Sequence, residues 1–537
     1  MPAIVTDQFR ILNANNFIES VGNPDNSYYA FLGLANPTTG GGADGSGIGI
    51  GRSDTWNDNT DTSVPSPIDN LQYRTLYRDT ALFGKKITTA NVRRVIKKHD
   101  WIANTKYDMY RHDYSVSKNP APNGGSGLYS TNYYVMNSDF RVYICIDNGS
   151  SGDLVEGKGS LDEPTFTDIE PSAAGTQGDG YIWKYLYTVS PSDIIKFDST
   201  EYIVLPSNWG TSTDSQIQEV REAGNSDVYK NQLKKVYIKN GGLGYRAGRT
   251  EICDILGDGS GGKVQITTDS SGKIINTVIT AGGSGYTFGV VNLNPIRSGE
   301  PSTFAELIPI IPPSKGHGSD IYTELGADKV LVYARFDDST KDFPTDTHFG
   351  QVGIIKNPQL FDSAGICTSN TYSSLNSVML TDTSLGQISN TPAIVGVAIT
   401  QTVPSGIAKG YVASFDRETK VLKYFQDKSL YFPNAVDHTD NSNVATGSQV
   451  LNFVSSSANQ IESTASGASF KVSVNTSFSG VSTSVNNKNV NLGVRFENGL
   501  ANPEINKKTG EIIYIDNRKE VERDLRQKED VKIILEF

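Results

Sequence analysis

Hydrophobic positions along the chain change period several times, and each change marks an element. Phe9, Leu12, Asn13, Asn16, Phe17 and Val21 fall at helical spacings, which predicts an N-terminal helix with an apolar stripe of Phe9, Leu12, Phe17 and Val21. The polar run Asn23-Pro24-Asp25-Asn26 ends it, and Tyr28 to Leu32 reads as a short strand. Residues 37–51 are a Gly/Thr/Ser loop. From Thr89, Val92, Val95 and Ile96 share one helical face, with Arg93, Arg94, Lys97 and Lys98 largely on the other. This predicts a second helix that stops near Trp101.

Beyond Trp101 the period becomes two. Tyr133 to Met136, the turn Asn137-Ser138 and Phe140 to Ile146 predict a hairpin, and Tyr181 to Tyr187 and Tyr202 to Leu205 predict further strands. Residues 235–295 contain an internal echo. Asn240-Gly241-Gly242-Leu243-Gly244-Tyr245 is matched by Ala281-Gly282-Gly283-Ser284-Gly285-Tyr286. Two copies are too few for a solenoid, so they predict one small β module built from a duplicated hairpin-like unit. Residues 370–495 form a second island, rich in Ser, Thr, Asn and Val, with a hairpin expected at 411–415 and 421–425 around the turn Asp416 to Thr419. The chain closes with strands at Glu511 to Ile515 and Val531 to Phe537.

The 537 residues exceed one ordinary core, so several domains are expected. The 52 Gly and 26 Tyr strengthen the β reading, because tight turns need Gly and pleated surfaces favour aromatic residues. A net charge of −11 argues against wrapping nucleic acid, since phosphate neutralisation needs clustered Lys and Arg. Met1 to Arg10 lacks the basic and apolar regions of a signal peptide, and no apolar run of about 18 residues predicts a membrane span. Cys145, Cys253 and Cys367 are odd in number and widely spaced, so neither a disulfide framework nor a zinc site is expected.

No motif points to catalysis or to a cofactor. Gly45 to Gly51 alternates Gly but never completes G-x-G-x-x-G within a βαβ unit, so it reads as a loop. His99, His112, His317, His348 and His438 form no metal-ligating pair, and His317, after Ile311-Pro312-Pro313, reads as part of a rigid loop. Asp258 and Asp269 sit among glycines but lack the ligand ladder of a calcium loop. The 59 acidic residues supply candidate hydrolase pairs trivially, so no pair carries weight. Trp56, Trp101, Trp183 and Trp209 are read as packing residues rather than sugar platforms. Residues 517–530, with five charges of each sign, are read as a solvated face.

Several segments, in one order, resemble the baseplate wedge proteins of T-even-type myophages, the gene-eight product family. They are Ala3 to Arg10, Ile50-Gly51-Arg52-Ser53-Asp54-Thr55-Trp56, Val95 to Trp101 and Gly178-Asp179-Gly180-Tyr181-Ile182-Trp183-Lys184-Tyr185-Leu186. Thr200-Glu201-Tyr202 to Pro206, Phe349 to Asn357-Pro358 and Gly510 through Tyr514 to Asn517-Arg518 complete the series. The family-signature positions are thus Arg52, Trp56, Trp101, Gly178, Asp179, Gly180, Tyr181, Trp183, Tyr202, Asn357, Pro358, Tyr514, Asn517 and Arg518. The resemblance covers roughly 1–210, 328–366 and 500–537.

It implies a mainly β, multi-domain fold: a discontinuous α+β sandwich domain from 1–100 with 500–537, and antiparallel β-barrel or sandwich domains over 101–230 with 301–369. Two β modules, 231–300 and 370–499, are read as insertions that surface loops tolerate. It further implies a non-enzymatic structural subunit of a contractile-tail virion, with no cofactor, metal, nucleic acid or membrane. Other wedge proteins are its implied partners, and it is implied to be a homodimer with two copies in each of six wedges. A tail-associated carbohydrate- or receptor-binding protein is the rival reading, resting on the inserted modules, and a tail hydrolase is a more remote one.

Overall fold

The computed structural model of the chain describes residues 5–33, 77–78, 81–121, 127–223, 232–337, 348–381, 397–404, 406–426, 451–465, 468–522 and 527–537. The fold is mainly β, with several antiparallel sheets and few helices. It forms two compact units. One comprises Met1–Ile18, Arg93–Leu331 and Ile534–Phe537; the other comprises Glu19–Val92 and Val332–Ile533.

In the first unit, a sheet of order Tyr134–Met136, Arg141–Asn148, Tyr181–Thr188 and Ser172–Ala173 carries the densest core. Its first hairpin turns where the sequence places it. The side-chain oxygen of Asn137 accepts from Asp139 N at 3.0 Å and Arg141 N at 2.8 Å, closing the turn locally. A second sheet has the order Ile274–Ser284, Ser260–Thr268, Thr250–Gly257 and Gly289–Val291, with the pair Val236–Asn240 and Glu306–Pro309 packed into the same core. The sequence echo is structural. Gly242 and Gly244 adopt φ of 63° and 89°, and Gly283 and Gly285 adopt 62° and 78°. Each copy thereby turns its tyrosine, Tyr245 or Tyr286, into one shared core.

In the second unit, a five-stranded sheet runs Thr371–Ser373, Ala81–Ile87, Tyr28–Gly33, His348–Lys356, Glu511–Glu522. The strand Glu511–Glu522 therefore joins the sheet of Tyr28–Gly33 through one intervening strand, with Tyr514 opposite Ile354 and Asn517 opposite Gln351. A seven-stranded sheet contains the expected hairpin of Gly406–Asp416 with Val421–Phe425. Its core is aliphatic and aromatic, with Ile399, Val412, Leu422 and Phe453 buried together.

Two expectations fail. The helix expected from Thr89 is a single 3-10 turn, Thr89–Asn91, followed by a strand, Val92–Lys97. This strand pairs with Tyr202–Val204, matching Val95 to Val204 and Ile96 to Ile203. Val92, Val95 and Ile96 are β-branched and stiff at χ1, which favours a strand. Arg94 is itself buried, its guanidinium 4.0 Å from the centre of the Tyr322 ring, so the segment is covered on both faces and loses period two. The second failure concerns the helix Asp7–Gly22. It buries Ile11, Ala14 and Val21, while Phe9 and Leu12 stand 53% and 51% exposed. The buried residues lie three and seven apart, a helical face rotated away from the stripe read in sequence.

Candidate functional site

The turn Gly178-Asp179-Gly180 ties several segments of its sheet together. Gly178 and Gly180 take φ of 68° and 87°, values that an L side chain rarely adopts. A Cβ on Gly180 would also meet Gly149 Cα at 2.9 Å. The carboxylate of Asp179 accepts from Tyr181 N at 2.9 Å and, with its other oxygen, from Leu161 N at 2.8 Å. It is only 5% exposed, and these two donors satisfy it. The Tyr181 hydroxyl donates to Lys158 O at 2.7 Å and accepts from Tyr107 N at 2.9 Å. The Trp101 indole donates to Ser160 Oγ at 3.0 Å. Segment 158–161 is thus strapped to the sheet by three signature residues at once.

Phenols repeat this device. Tyr133 donates to Glu324 O at 2.5 Å, Tyr134 to Lys97 O at 2.8 Å, Tyr143 to Phe166 O at 2.6 Å and Tyr187 to Val204 O at 3.1 Å. Each buries a large ring in the core and ends on a carbonyl of a different segment. The ring supplies apolar burial while its polar tip fixes a neighbouring backbone. Trp183 lies at the centre, stacked on Tyr181 at 5.4 Å and edge-on to Tyr107 at 5.7 Å.

Burial raises these phenols. Tyr129 and Tyr143 are pushed up to about 12, and Tyr133, Tyr134, Tyr181 and Tyr187 are raised as well, chiefly because an ionised ring would lose hydration. Unfolded tyrosine ionises near pH 10, so between that value and the folded values the unfolded chain binds fewer protons. The contribution is complete below about pH 10 and is lost as pH rises further. The expected result is that a large share of the tyrosinate ultraviolet absorbance appears only well above pH 10, in the same step as loss of the folded circular dichroism. Complete tyrosinate formation by about pH 11 with folded circular dichroism would contradict it.

The other signature residues lie elsewhere. Asn357, at φ 52°, accepts from Ser27 N at 2.7 Å and donates to Asn26 Oδ1 at 3.1 Å, and Pro358 O accepts from Cys367 N at 2.7 Å. Asn517 accepts from Gln351 Nε2 at 3.2 Å, Arg518 pairs with Asp516 at 2.8 Å, and Tyr514 stands half-buried on the same strand. Tyr202 is half-buried opposite Lys97. Arg52 and Trp56 lie outside the described residues.

Sequence reasoning passed over a buried cluster beside the tyrosine sheet. His317 Nδ1 lies 2.5 Å from Glu324 Oε1, whose other oxygen accepts from Gly318 N at 2.7 Å, and the His317 ring meets Tyr110 edge-on at 4.8 Å. Among the described residues no hydroxyl or thiol bonds His317. Lys184, 4% exposed, donates to Ile169 O, and burial pushes its amine down to about 8. Nothing in the local sequence separates Lys184 from a solvated lysine; the neighbouring Trp183 and Tyr185 are the only hint. Asp258 and Asp269 act as turn caps, accepting from Thr287 and Phe288 and from Ser271 and Lys273 respectively. Among the described residues no three His, Cys, Asp or Glu side chains cluster as metal ligands, and no helix is long and apolar enough to cross a membrane.

The geometry defines a multi-sheet antiparallel β protein whose loops are tied to its sheets by buried phenols. No family model matches the chain. It is similar to the baseplate wedge protein gp8 of Enterobacteria phage T4, at 25% identity over 288 residues, spanning 47% of this chain and 79% of that protein. The two are distant relatives.

Proposed function

We propose that this chain is a structural subunit of a phage tail baseplate wedge, connecting neighbouring wedge proteins in a contractile-tail virion. The observation that carries the reading is the similarity to a baseplate wedge protein over 79% of that protein's length. The role requires shape and rigidity rather than chemistry. Phenol-to-carbonyl ties that lock loops to sheets suit it. A net charge of −11 favours protein partners over nucleic acid. In this proposal the subunit is a homodimer, the segments 231–300 and 370–499 are additions outside the shared core, and the chain is assembled in the host cytoplasm.

Quantitative mass spectrometry of purified tails tests it. The expected result is that the chain is present at about twelve copies, two in each wedge of a six-fold assembly. Its absence from tails of the phage that encodes it would overturn the reading.

A further inference from the structure

The seven-stranded sheet's unit carries a hairpin that, among the described residues, pairs with nothing but itself. Gly480–Val485 and Lys488–Phe496 form a two-stranded sheet, joined by Asn486 and Asn487 at φ 48° and 61°. Two consecutive left-handed residues give a turn whose twist matches the strands, so the hairpin is built to be straight and ordered. Only its base is anchored, where Leu492, Val494 and Phe496 pack with Phe478, Met379 and Val421. Beyond that base, among the described residues, no backbone group of 481–491 bonds outside the hairpin.

The two edges differ. Lys488–Phe496 is interrupted by Gly493 at φ 78°, whose N–H bonds Asn491 Oδ1 at 3.0 Å, and it carries Lys488 and Arg495. Charges and irregular backbone are the usual protection of an edge against pairing. The strand Gly480–Val485 (Gly-Val-Ser-Thr-Ser-Val) has no charge and no proline; its irregularity lies at the base, where the register shifts between Gly480 and Ser482 and Gly480 takes φ 141°, and its Val481 is 48% exposed. A free-standing hairpin is marginal in water, and an unguarded edge is a template for another strand.

We propose that this hairpin is an arm that docks by β-strand addition: the Gly480–Val485 edge extends a sheet of a different protein of the same assembly, pairing with an edge strand flanked by acidic side chains. The acidic flank follows from Lys488 and Arg495, since residues 480–496 hold no carboxylate in a chain of net charge −11. Pairing of two arms with each other is disfavoured because it brings together two hairpins that each carry positive charge and no carboxylate. Main-chain hydrogen bonds supply the affinity, and the face of Ser482 and Ser484 sets the register. The proposal rests on the tail-subunit reading.

Two full-length variants test it in purified tails. One replaces residues 483–490 with Asn-Gly, keeping the pair of Ser482 with Asn491 and the anchored base. The other is Ser482→Glu with Ser484→Glu, which sets negative charge against the acidic flank. Both are expected to melt like the parent chain, yet to be retained in tails at least about ten-fold below it, as a loss of about 1.4 kcal/mol or more would give. In parent tails the amides of Val481 to Val485 are expected to exchange about 100-fold more slowly than in the isolated chain. Cross-links from a photoreactive group at Ser484 are expected to map to a strand edge of another protein. Equal retention of both variants, unchanged exchange, or cross-links between two copies of this chain would each overturn the arm. Absence of the parent chain from tails would instead sink the tail-subunit reading, and the arm's partner with it.

Discussion

A chain ended after Asn517 is expected to be insoluble, or to melt without a cooperative step. The truncation removes the strand Lys528–Glu536, the neighbour of Lys329–Asp337 in its sheet. Val330, Leu331 and Val332 are at most 1% exposed, and they would become the edge of that sheet. Ile533, 4% exposed, would be lost, as would Phe537, whose ring lies 5.7 Å from Phe17. Each such side chain contributes about 1.5–3 kcal/mol, against a total stability of about 5–15 kcal/mol.

The ion pairs on the same strand are not what decides the outcome. Asp530 accepts from Arg335 at 2.6 and 2.8 Å and from Tyr333 at 2.9 Å, but Arg335 and Asp530 are each more than 40% exposed. Such a pair contributes about 0–1 kcal/mol. Arg335→Ala should therefore melt within a few degrees of the parent. A soluble truncated chain with the parent's melting temperature would show that the strand Lys528–Glu536 is dispensable.

Trp183→Ala is expected to cost about 3–5 kcal/mol, the range for emptying a buried aromatic site. Trp183 is fully buried between Tyr181, whose hydroxyl donates to Lys158 O, and Tyr107, whose N–H donates to that hydroxyl. Collapse of the cavity would pull on those bonds, so relief by local repacking is blocked. Trp101→Ala is the comparison. That residue is half-buried and makes one side-chain bond, to Ser160, so about 1 kcal/mol is expected. Urea unfolding of the two variants measures both. Equal costs would mean that the stacked rings do not carry the stability assigned to them.

Much of this architecture was legible in the chain because local chemistry decided it. The turn at Asn137 is made by its own side chain bonding two residues within four positions. The hairpin after Asp416 closes in the same manner, with Glu418 N on Asp416 Oδ1 at 3.0 Å. The two Gly-Gly-x-Gly-Tyr segments repeat because each needs two glycines at positive φ to turn a tyrosine inward. The segment around Gly178 was legible only through its family resemblance; its local chemistry is the bond from Tyr181 N to Asp179, two residues apart.

Tertiary structure alone decided the rest. Val92–Lys97 has a helical spacing of apolar residues, yet Val204 and Ile203 offer it backbone partners, and Tyr322 covers the arginine that would otherwise mark a solvent face. The buried face of the first helix was set by what packs on it, because Phe9, Leu12 and Ile11 are equally apolar to a sequence reading. His317 and Glu324 meet through a loop and a short helix, at a distance that no spacing rule specifies. The unguarded strand edge at Gly480–Val485 is also a tertiary fact. Its residues fall unmarked within the Ser/Thr/Asn/Val-rich island, and only the arrangement of the surrounding sheets leaves their backbone without a neighbour among the described residues. Short-range hydrogen bonds and backbone sterics are written residue by residue, whereas the choice of which face is covered belongs to whatever segment arrives from far along the chain.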